Sequence, residues 1–475
     1  MPQTYRFEHA LIGGAWQHQV VMSVDATGSI ESVSSVAGGE SWDGPVGNEE
    51  GPGADGDAAP PRLIRGWAIP GLCNVHSHAF QRGLVGRAER TGTDSFWQWR
   101  EVMYAYVAKL TPQTVEATAA QLFVELLRGG FTSVGEFHYL HHQAGGERYA
   151  DPAEMSRRVI EAARHAGINL VHIPVVYHQG GFDGRPLEPP QRRFAMSAED
   201  LAELAASLEE EVRTGPGSQV KLGWGLHSLR ACSEEEMDRA LALLDDRPGR
   251  PVHIHVAEQP LEVEECLAHR GARPIEWLAD HASLGSEWCL VHATWASEDE
   301  VARICRADAV VGLCPATEAN LGDGVFPLPH HLGSNGRVAV GTDSHVTTRA
   351  AGELRTLEYG QRLLRTSRGI TPPLPGTGQG GGGHALVSRA LSGGAQALGL
   401  ACGDLAPGLR ADVVVLDAEH PSLIGHGPDT ILDAWVFSDH GNPVRDVMVG
   451  GRWVVTDGQH PNGEATLDRF KQSLP

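Results

Sequence analysis

The sequence lacks the features that would place it in a membrane or against nucleic acid. No stretch of its 475 residues is apolar for long enough to cross a bilayer, and the first residues contain no apolar signal core. Basic residues are outnumbered by acidic ones, since the formal net charge is -22 and no basic stripe offsets it. These absences argue against nucleic-acid binding and membrane insertion, and they predict a soluble cytoplasmic protein.

Cysteine is also scarce, and its pattern argues against a disulfide framework. The seven cysteines are scattered, odd in number and without a Cys-x-x-Cys pair, so they are interpreted as reduced thiols. Hydrophobic residues make up 41% of the chain and charged residues 21%, which is typical of a globular protein. A chain of this length predicts a large catalytic domain accompanied by a smaller one.

Short apolar runs alternate with helical segments through the middle of the chain. This pattern predicts an α/β fold with a (β/α)₈ TIM-like barrel over residues 66–400. An open doubly wound sheet is the alternative, although no Gly-x-Gly-x-x-Gly motif follows the first strand. The predicted barrel strands are Trp67–His78, Phe131–Phe137, Asn169–Tyr177, Val220–His227, Val252–Ala257, Cys289–Ala293, Ala309–Cys314 and Val338–Asp343.

The two ends of the chain are rich in short strands and turns. Residues 1–65 and 401–475 are predicted to pair into a small β-sandwich beside the barrel, with Ala434–Phe437 as one of its strands. Within the first of these segments, residues 36–62 are rich in Gly, Pro, Ala and acids, which predicts a disordered surface insertion. A second Gly- and Pro-rich stretch, residues 371–383, is predicted to be a loop.

His76-Ser77-His78 ends the first predicted barrel strand. Alternate side chains of a strand share a face, so residues 76 and 78 present two imidazoles side by side, as a Zn²⁺ site requires. The motif is weak by itself because the chain contains 24 histidines. A pair of this kind is more often hydrogen-bonded in the core or solvated than bound to a metal.

Other strands of the predicted barrel supply the remaining ligand types at the same end. The fifth strand offers His253 and His255, which share a face and cannot be separated by spacing, and Glu258 follows. The sixth strand ends in His292 and the eighth in Asp343. Each residue alone is more often a hydrogen-bonded core side chain or a cap than a ligand. Their coincidence at the carboxyl ends of one barrel predicts a metal-dependent active site.

These motifs resemble those of the deaminase branch of the amidohydrolase superfamily, and the resemblance covers nearly the whole chain. The shared motifs are Pro70-Gly-Leu-Cys-Asn-Val-His-Ser-His78, His253-x-His-x-x-Glu258, His292 and Thr342-Asp-Ser-His345. Phe96-Trp-Gln-Trp-Arg100, Phe137-His-Tyr-Leu-His-His142 and Leu226-His-Ser-Leu-Arg230 are more distinctive and are similar to strings of the formimidoylglutamate deiminases. That family removes ammonia from N-formimino-L-glutamate in histidine degradation.

The resemblance implies a mononuclear metal site and roles for three side chains. The implied ligands are His76, His78, His255 and Asp343, and one Zn²⁺ is the expected metal because no lysine stands where a binuclear site would need it. Glu258 is expected to protonate the imino nitrogen, Asp343 to accept the proton of water, and His292 to hydrogen-bond the tetrahedral centre. We therefore count Glu258, His292 and Asp343 as the predicted catalytic residues.

The same resemblance implies a small anionic substrate and a homodimer. The substrate's two carboxylates call for planar cationic donors. The expected binding residues are Gln81, Arg100, Tyr139, His227 and Arg230. Arg82 either reaches an anionic group or pairs with an acid in the wall, and Trp97 and Trp99 are expected to form an apolar lid or wall.

Two other functions are considered beside this one. The first is a deaminase of a purine, nucleoside or other heterocycle, which would need stacking surfaces and base-edge donors where this chain offers arginines and a tyrosine. The second is a barrel without catalysis that serves as an assembly subunit. The complete set of His76, His78, His255, Glu258, His292 and Asp343 argues against that second reading.

Overall fold

The computed structural model describes residues 3–35, 62–89, 96–214, 219–245, 249–374 and 380–474. The insertion predicted over residues 36–62 therefore lies outside the described residues, except for residue 62, which begins a strand. Residues 375–379 of the second predicted loop also lie outside them. The last residues of that loop differ from the prediction, because a helix begins at Gly382.

Strands occupy the two chain ends, and further strands recur at regular intervals through the central region. In chain order they are β1 (Gln3–Ile12), β2 (Ala15–Val24), β3 (Ile30–Ser35), β4 (Arg62–Pro70), β5 (Leu72–Ser77), β6 (Phe131–His138), β7 (Asn169–Val176), β8 (Val220–Leu222), β9 (Trp224–Ser228), β10 (Val252–Val256), β11 (Trp288–His292), β12 (Val310–Leu313), β13 (Arg337–Val340), β14 (Val413–Leu416), β15 (Val444–Val449) and β16 (Arg452–Val455).

Within the described residues, the first ten α-helices lie between barrel strands, and the last four follow the final barrel strand. In chain order the helices are α1 (Phe96–Val107), α2 (Pro112–Arg128), α3 (Glu154–Ala166), α4 (Ala198–Thr214), α5 (Glu234–Asp245), α6 (Pro260–Arg270), α7 (Pro274–His281), α8 (Glu298–Arg306), α9 (Pro315–Leu321), α10 (Leu328–Gly333), α11 (Ala350–Arg365), α12 (Gly382–Leu398), α13 (Ile431–Phe437) and α14 (Gly463–Ser473), with 3₁₀ helices at Ala79–Leu84 and Pro189–Phe194. None of the helices in the described ranges has the length and apolarity that a bilayer span requires.

The predicted barrel is confirmed. Within the described residues, eight parallel strands follow one another in the order β5, β6, β7, β9, β10, β11, β12 and β13, and β8 pairs with β7 beside them. A parallel bridge between Ser77 and Asp343 joins the last strand region back to the first. All residues of β5, β6, β7, β10 and β11 are buried, as expected for parallel strands covered by helices.

The chain ends form the predicted second β domain. Its strands lie in the order β16, β15, β14, β4, β1, β2 and β3, so residues from both ends share one sheet. The sheet curves until its two sides face each other, since the ring of Tyr5 on β1 meets the ring of Trp453 on β16 at 6.0 Å. Phe7, Met22 and Val415 belong to the separate core that this curvature encloses.

The first predicted barrel strand, Trp67–His78, is two strands rather than one. Residues up to Pro70 belong to β4 of the curved sheet, where Ala68 pairs with both Ala10 and Val415. Gly71 separates β4 from β5, and a Cβ atom there would lie 2.2 Å from the Thr132 side chain. The chain passes from one domain into the other at this glycine because only a residue without a side chain fits against Thr132.

One predicted strand of the C-terminal region is wrong. Ala434–Phe437 is the second half of helix α13, in which Ala434 N donates to Thr430 O at 2.9 Å. Ile431, Leu432, Trp435 and Val436 are buried, and their spacing follows one face of a helix. A run of four apolar residues does not distinguish a strand from a helix. The helical spacing becomes visible only when Ile431 and Leu432, which precede the run, are included.

Candidate active site

Three histidine nitrogens converge at the carboxyl ends of the barrel strands. Nε2 of His76 lies 3.1 Å from Nε2 of His78 and 3.0 Å from Nε2 of His255. His76 and His78 come from the end of β5, and His255 comes from β10, across the barrel. The resemblance's choice of His255 agrees with this geometry, because the other histidine of β10, His253, directs its Nε2 atom to Ala397 O at 2.9 Å.

Asp343 adds a carboxylate to these three imidazoles. Its Oδ1 atom lies 3.2 Å from His78 Nε2 and 3.5 Å from His76 Nε2. The backbone of Asp343 donates to His76 O at 2.9 Å and has a φ of +46°, so the turn after β13 is held against the end of β5. The closing of the barrel therefore brings the eighth strand's acid to the first strand's histidines.

This donor set fits a divalent metal ion. The ligand atoms of a tetrahedral Zn²⁺ with Zn–N bonds of about 2.1 Å lie about 3.4 Å apart, close to the spacing of these four atoms. The second ring nitrogens of two of the three histidines are also suitably held, since His78 Nδ1 faces Phe137 O and His255 Nδ1 faces His227 O, both at 2.9 Å. Nδ1 of His76 has no hydrogen-bond partner among the described residues. A proton on Nδ1 leaves the lone pair of Nε2 directed at the common centre.

Burial keeps these imidazoles in the form that binds metals. The three histidines are nearly inaccessible to solvent, and the loss of hydration lowers the pKa of His76, His78 and His255. Mutual repulsion among the histidines lowers the pKa of His76 and His255 further. Neutral histidine is therefore present at pH 7 without competition from protons.

Glu258 and His292 lie beside the convergent histidines. His292 Nε2 is 3.7 Å from Glu258 Oε1. Burial raises the pKa of Glu258, and the nearby Asp343 raises it further while His292 lowers it. Burial lowers the pKa of His292, but Glu258, a hydrogen bond with Glu318 and Asp343 together raise it to about 10. Each of these two side chains therefore shifts the proton affinity of the other, which is typical of groups at a functional site.

The backbone that carries Glu258 is clamped by Glu262 in the first turn of α6. Glu262 accepts from the backbone nitrogens of Ala257 and Glu258 at 3.0 and 2.9 Å. Ala257 has a φ of +51°, which turns the chain sharply after β10. Glu258 thus leaves the strand end in a fixed direction, toward the cavity above the metal-binding atoms.

One cavity contains nearly all the predicted site residues. His76 lies beneath the cavity, and the other ten predicted residues line it. They are Gln81, His78, Arg100, Tyr139, His227, Arg230, His255, Glu258, His292 and Asp343. The structure thus brings the predicted metal, catalytic and substrate residues together, and their individual roles remain predictions.

One part of the cavity wall is cationic and aromatic. Arg100 Nε donates to the Tyr104 hydroxyl at 2.6 Å, and its guanidinium lies over the Tyr104 ring at 5.2 Å. Burial lowers the pKa of Arg230, but Tyr177, Glu262 and Glu258 outweigh it and raise that pKa above the usual value. Arg230 therefore stays charged, and with the guanidinium of Arg100 on the same cavity this wall suits an anionic end of a substrate.

Gln81 and Tyr139 lie between the two ends of the cavity. Gln81 Nε2 donates to the Tyr139 hydroxyl at 2.9 Å, while Gln81 Oε1 has no hydrogen-bond partner among the described residues. The Tyr139 ring lies 4.9 Å from that of His78 and 5.4 Å from that of His227. This pair links the metal-binding turn to the wall that holds the cations.

The structure also shows where other residues of the sequence motifs lie. Arg82 pairs with Glu125 through two hydrogen bonds of 2.6 and 3.1 Å, so it is a wall residue. Trp99 lines the cavity as expected, and the side chain of Trp97 lies outside what the structure describes. His345 Nδ1 lies 2.9 Å from Thr342 Oγ1 and supports the turn that carries Asp343.

The sequence reasoning missed Glu318 and Asp323, two buried acids close to the catalytic pair. Glu318 contacts His292, and Asp323 accepts a hydrogen bond from Gln259, the residue after Glu258. Burial and the neighbouring Glu258 raise the pKa of Asp323 to about 9. Their sequence signal was the acid-containing string Thr317–Gly324 directly after a barrel strand, at the end where active sites lie.

Comparisons with known proteins agree with this architecture. Residues 67–454 match the amidohydrolase family. The formimidoylglutamate deiminase of Pseudomonas aeruginosa is 44% identical over 98% of both chains, and the 8-oxoguanine deaminase of the same species is 27% identical over 82% of both. A crystal structure of an amidohydrolase from Brucella melitensis is 39% identical, with a TM-score of 0.87 over 99% of both chains.

Proposed function

Because this chain belongs to the amidohydrolase family, we propose that it is a metal-dependent hydrolase that converts N-formimino-L-glutamate to N-formyl-L-glutamate and ammonia. The observation that carries the proposal is one cavity lined by two unlike sets of side chains. One set is His78, His255 and Asp343 with Glu258 and His292, and the other is Arg100 and Arg230. A linear substrate with an amidine-like group and two carboxylates matches both sets at once.

The metal site is assigned to His76, His78, His255 and Asp343. The chemistry that a divalent metal supplies when bound there is Lewis acidity, which makes water nucleophilic near neutral pH. We propose one ion per chain and Zn²⁺ as that ion, because three neutral imidazoles and one carboxylate are typical zinc ligands.

The residues around the metal site then have distinct tasks. Asp343 orients the water and accepts its proton as the water oxygen adds to the formimino carbon. Glu258, whose pKa is raised by burial, gives a proton to the imino nitrogen as the water oxygen adds, which leaves an –NH2 group on the tetrahedral centre. Asp343 then passes the proton that it took from water to this –NH2 group, and the C–N bond breaks to release ammonia. The remaining hydroxyl proton of the tetrahedral centre returns to Glu258, so both carboxyl groups regain their starting forms. His292 donates a hydrogen bond to the tetrahedral centre.

The substrate's glutamate portion is assigned to the cationic wall. Arg100 and Arg230 offer planar pairs of donors for the two carboxylates. Gln81, Tyr139 and His227 lie between this wall and the reacting carbon, and they fix how far the carbon stands from the metal-binding atoms. This division explains why the protein binds an anion despite a net charge of -22.

The experiment that tests this proposal is an ammonia-release assay with N-formimino-L-glutamate, N-formimino-L-aspartate, guanine and adenosine derivatives. We expect the highest kcat/KM for N-formimino-L-glutamate, with elemental analysis giving about one divalent metal per chain. Preferential turnover of guanine or an adenosine derivative would overturn the assignment in favour of a heterocycle deaminase. Full activity in metal-free protein would overturn the mechanism.

The setting of the reaction is also part of the proposal. N-formimino-L-glutamate arises in histidine degradation, so we place the protein in that pathway and in the cytoplasm. We keep the homodimer implied by the family resemblance, which analytical ultracentrifugation of the purified protein tests.

A further inference from the structure

The two ring nitrogens of His292 face two different carboxylates. Nε2 lies 3.7 Å from Glu258 Oε1 on the cavity side, and Nδ1 lies 3.2 Å from Glu318 Oε1 on the other side. His292 ends β11 with a φ of +67°, so its side chain does not follow the regular direction of a strand residue. Something other than strand geometry must therefore set the direction of this ring.

Glu318 is itself firmly placed. It lies in the short helix α9, and its Oε1 atom also accepts from Cys314 N at 2.8 Å. The residue is 6% exposed and stands behind His292, whereas His292 and Glu258 line the cavity. Glu318 is thus positioned to act on the reaction through His292 and not by touching the substrate.

Glu353 provides a contrast within the same region. This buried acid accepts from Ala316 N, at the start of α9, at 2.9 Å, and its Oε1 atom has no partner among the described residues. Both acids therefore anchor the backbone of one short segment. Within the part of the chain that the structure describes, Glu318 also hydrogen-bonds a side chain that lines the cavity, and Glu353 does not.

We propose that Glu318 is a positioning residue: its carboxylate holds Nδ1 of His292 so that Nε2 faces Glu258 and the reacting carbon. A carboxylate that accepts from Nδ1–H fixes the orientation of an imidazole ring. The Nε2 atom of His292 then faces the tetrahedral centre with no reorganisation of the ring during the reaction. This inference rests on the proposed function for its kinetic test.

The kinetic test uses Glu318→Gln, with Glu353→Gln as the matched control. We expect Glu318→Gln to lower kcat for N-formimino-L-glutamate by about 10- to 100-fold, with KM within about threefold and an unchanged metal content. Glu353→Gln is expected to lower the melting temperature and leave kcat within about threefold of the wild type. Equal kcat losses in the two variants would overturn the proposal.

A double-mutant cycle separates action through His292 from a general structural effect. In a His292→Ala background, Glu318→Gln is expected to cause no further loss of kcat, because the group it positions is gone. An equal fold-loss in both backgrounds would show that Glu318 acts independently of His292, which would overturn the proposal.

A crystal structure of the Glu318→Ala variant decides the question without any substrate. The proposal expects the His292 ring to rotate away from the orientation in which Nε2 faces Glu258. A ring that keeps its place would overturn it. Absence of wild-type turnover with N-formimino-L-glutamate would instead count against the proposed function, and the crystal structure would still decide the role of Glu318.

Discussion

This barrel contains two groups of buried histidines, and they differ in where their ring nitrogens point. The floor histidines, His76, His78 and His255, bring their Nε2 atoms together beside Asp343. The wall histidines, His138, His141 and His172, contact one another through ring centroids 5.1 to 5.3 Å apart. Within the described residues, the floor group is close enough to hold a metal and the wall group is not.

The comparison shows that burial of histidine does not by itself make a metal site. Burial lowers the pKa in both groups, to about 3 for His172. Carbonyl acceptors fix the rings of His78 and His255, whereas neither ring nitrogen of His172 has a hydrogen-bond partner among the described residues. Convergence of the ring nitrogens, which depends on strand packing, separates a candidate ligand from a core residue, because the core residue His253 also has a carbonyl partner.

The largest expected effect comes from breaking the convergence of the floor histidines. His255→Gln, or dialysis against a strong chelator, should remove the metal and lower kcat by more than about 100-fold. Mutation of only the outer hydrogen-bond partner of a metal ligand already lowers metal affinity or activity by about 10- to 100-fold. Elemental analysis and ammonia release measure both quantities. His172→Gln is the matched control and should keep the metal. If the His255→Gln variant also kept its metal and its activity, the floor histidines would not differ from the wall histidines in metal binding.

The next effect separates metal binding from proton transfer beside the floor histidines. Glu258→Gln should keep about one metal per chain and lower kcat by about 10²- to 10⁴-fold, because the amide cannot give a proton to the imino nitrogen. Single-turnover ammonia release and elemental analysis on one preparation provide the measurement. Turnover close to the wild-type rate would remove Glu258 from the proposed mechanism.

A smaller effect is expected at the cationic wall. Arg230→Ala should lower kcat/KM for N-formimino-L-glutamate by a factor of about 30 or more, because a buried carboxylate of the substrate loses its cationic partner. This factor corresponds to a loss of about 2 kcal/mol of transition-state stabilisation. Formamidine keeps the C=NH group without the carboxylates and should be much less affected. Arg82→Ala, in which the lost cation pairs with Glu125, is the control; similar losses for both substrates would return Arg230 to a structural role.

The smallest effect on activity, and a distinct effect on stability, is expected from the wall histidines. The folded pKa of His172 is about 3, below the unfolded value of about 6.5, so its contribution to stability is present above pH 6.5 and lost as pH falls toward 3. At pH 5 this linkage destabilises the wild type by about 2 kcal/mol relative to pH 7.

His172→Phe should remove that dependence while kcat stays within about twofold. Urea unfolding midpoints at pH 7 and pH 5 measure it for both proteins, and the variant should show the smaller decrease. If the unfolding midpoint of the variant fell between pH 7 and pH 5 by as much as that of the wild type, His172 would not be neutral in the folded protein.

Much of the barrel could be predicted from the sequence because its signals are local. Helix α8 begins directly after its capping residue Ser297, and α2 begins directly after its capping residue Thr111. The errors fall where local signals are short or shared. The break at Gly71 depends on the Thr132 side chain, which is distant in sequence, and the helix over Ala434–Phe437 depends on residues before the apolar run.

The sequence by itself determined which residue types stand at the ends of the barrel strands, since the alternation of strands and helices places them at one edge. Only the tertiary structure decided their relations. His255 rather than His253 meets His76, Arg82 turns to Glu125, and Glu318 stands behind His292 although 26 positions separate them. The reason is that spacing along a strand fixes the face of a side chain, whereas its depth, orientation and partner depend on how neighbouring strands pack.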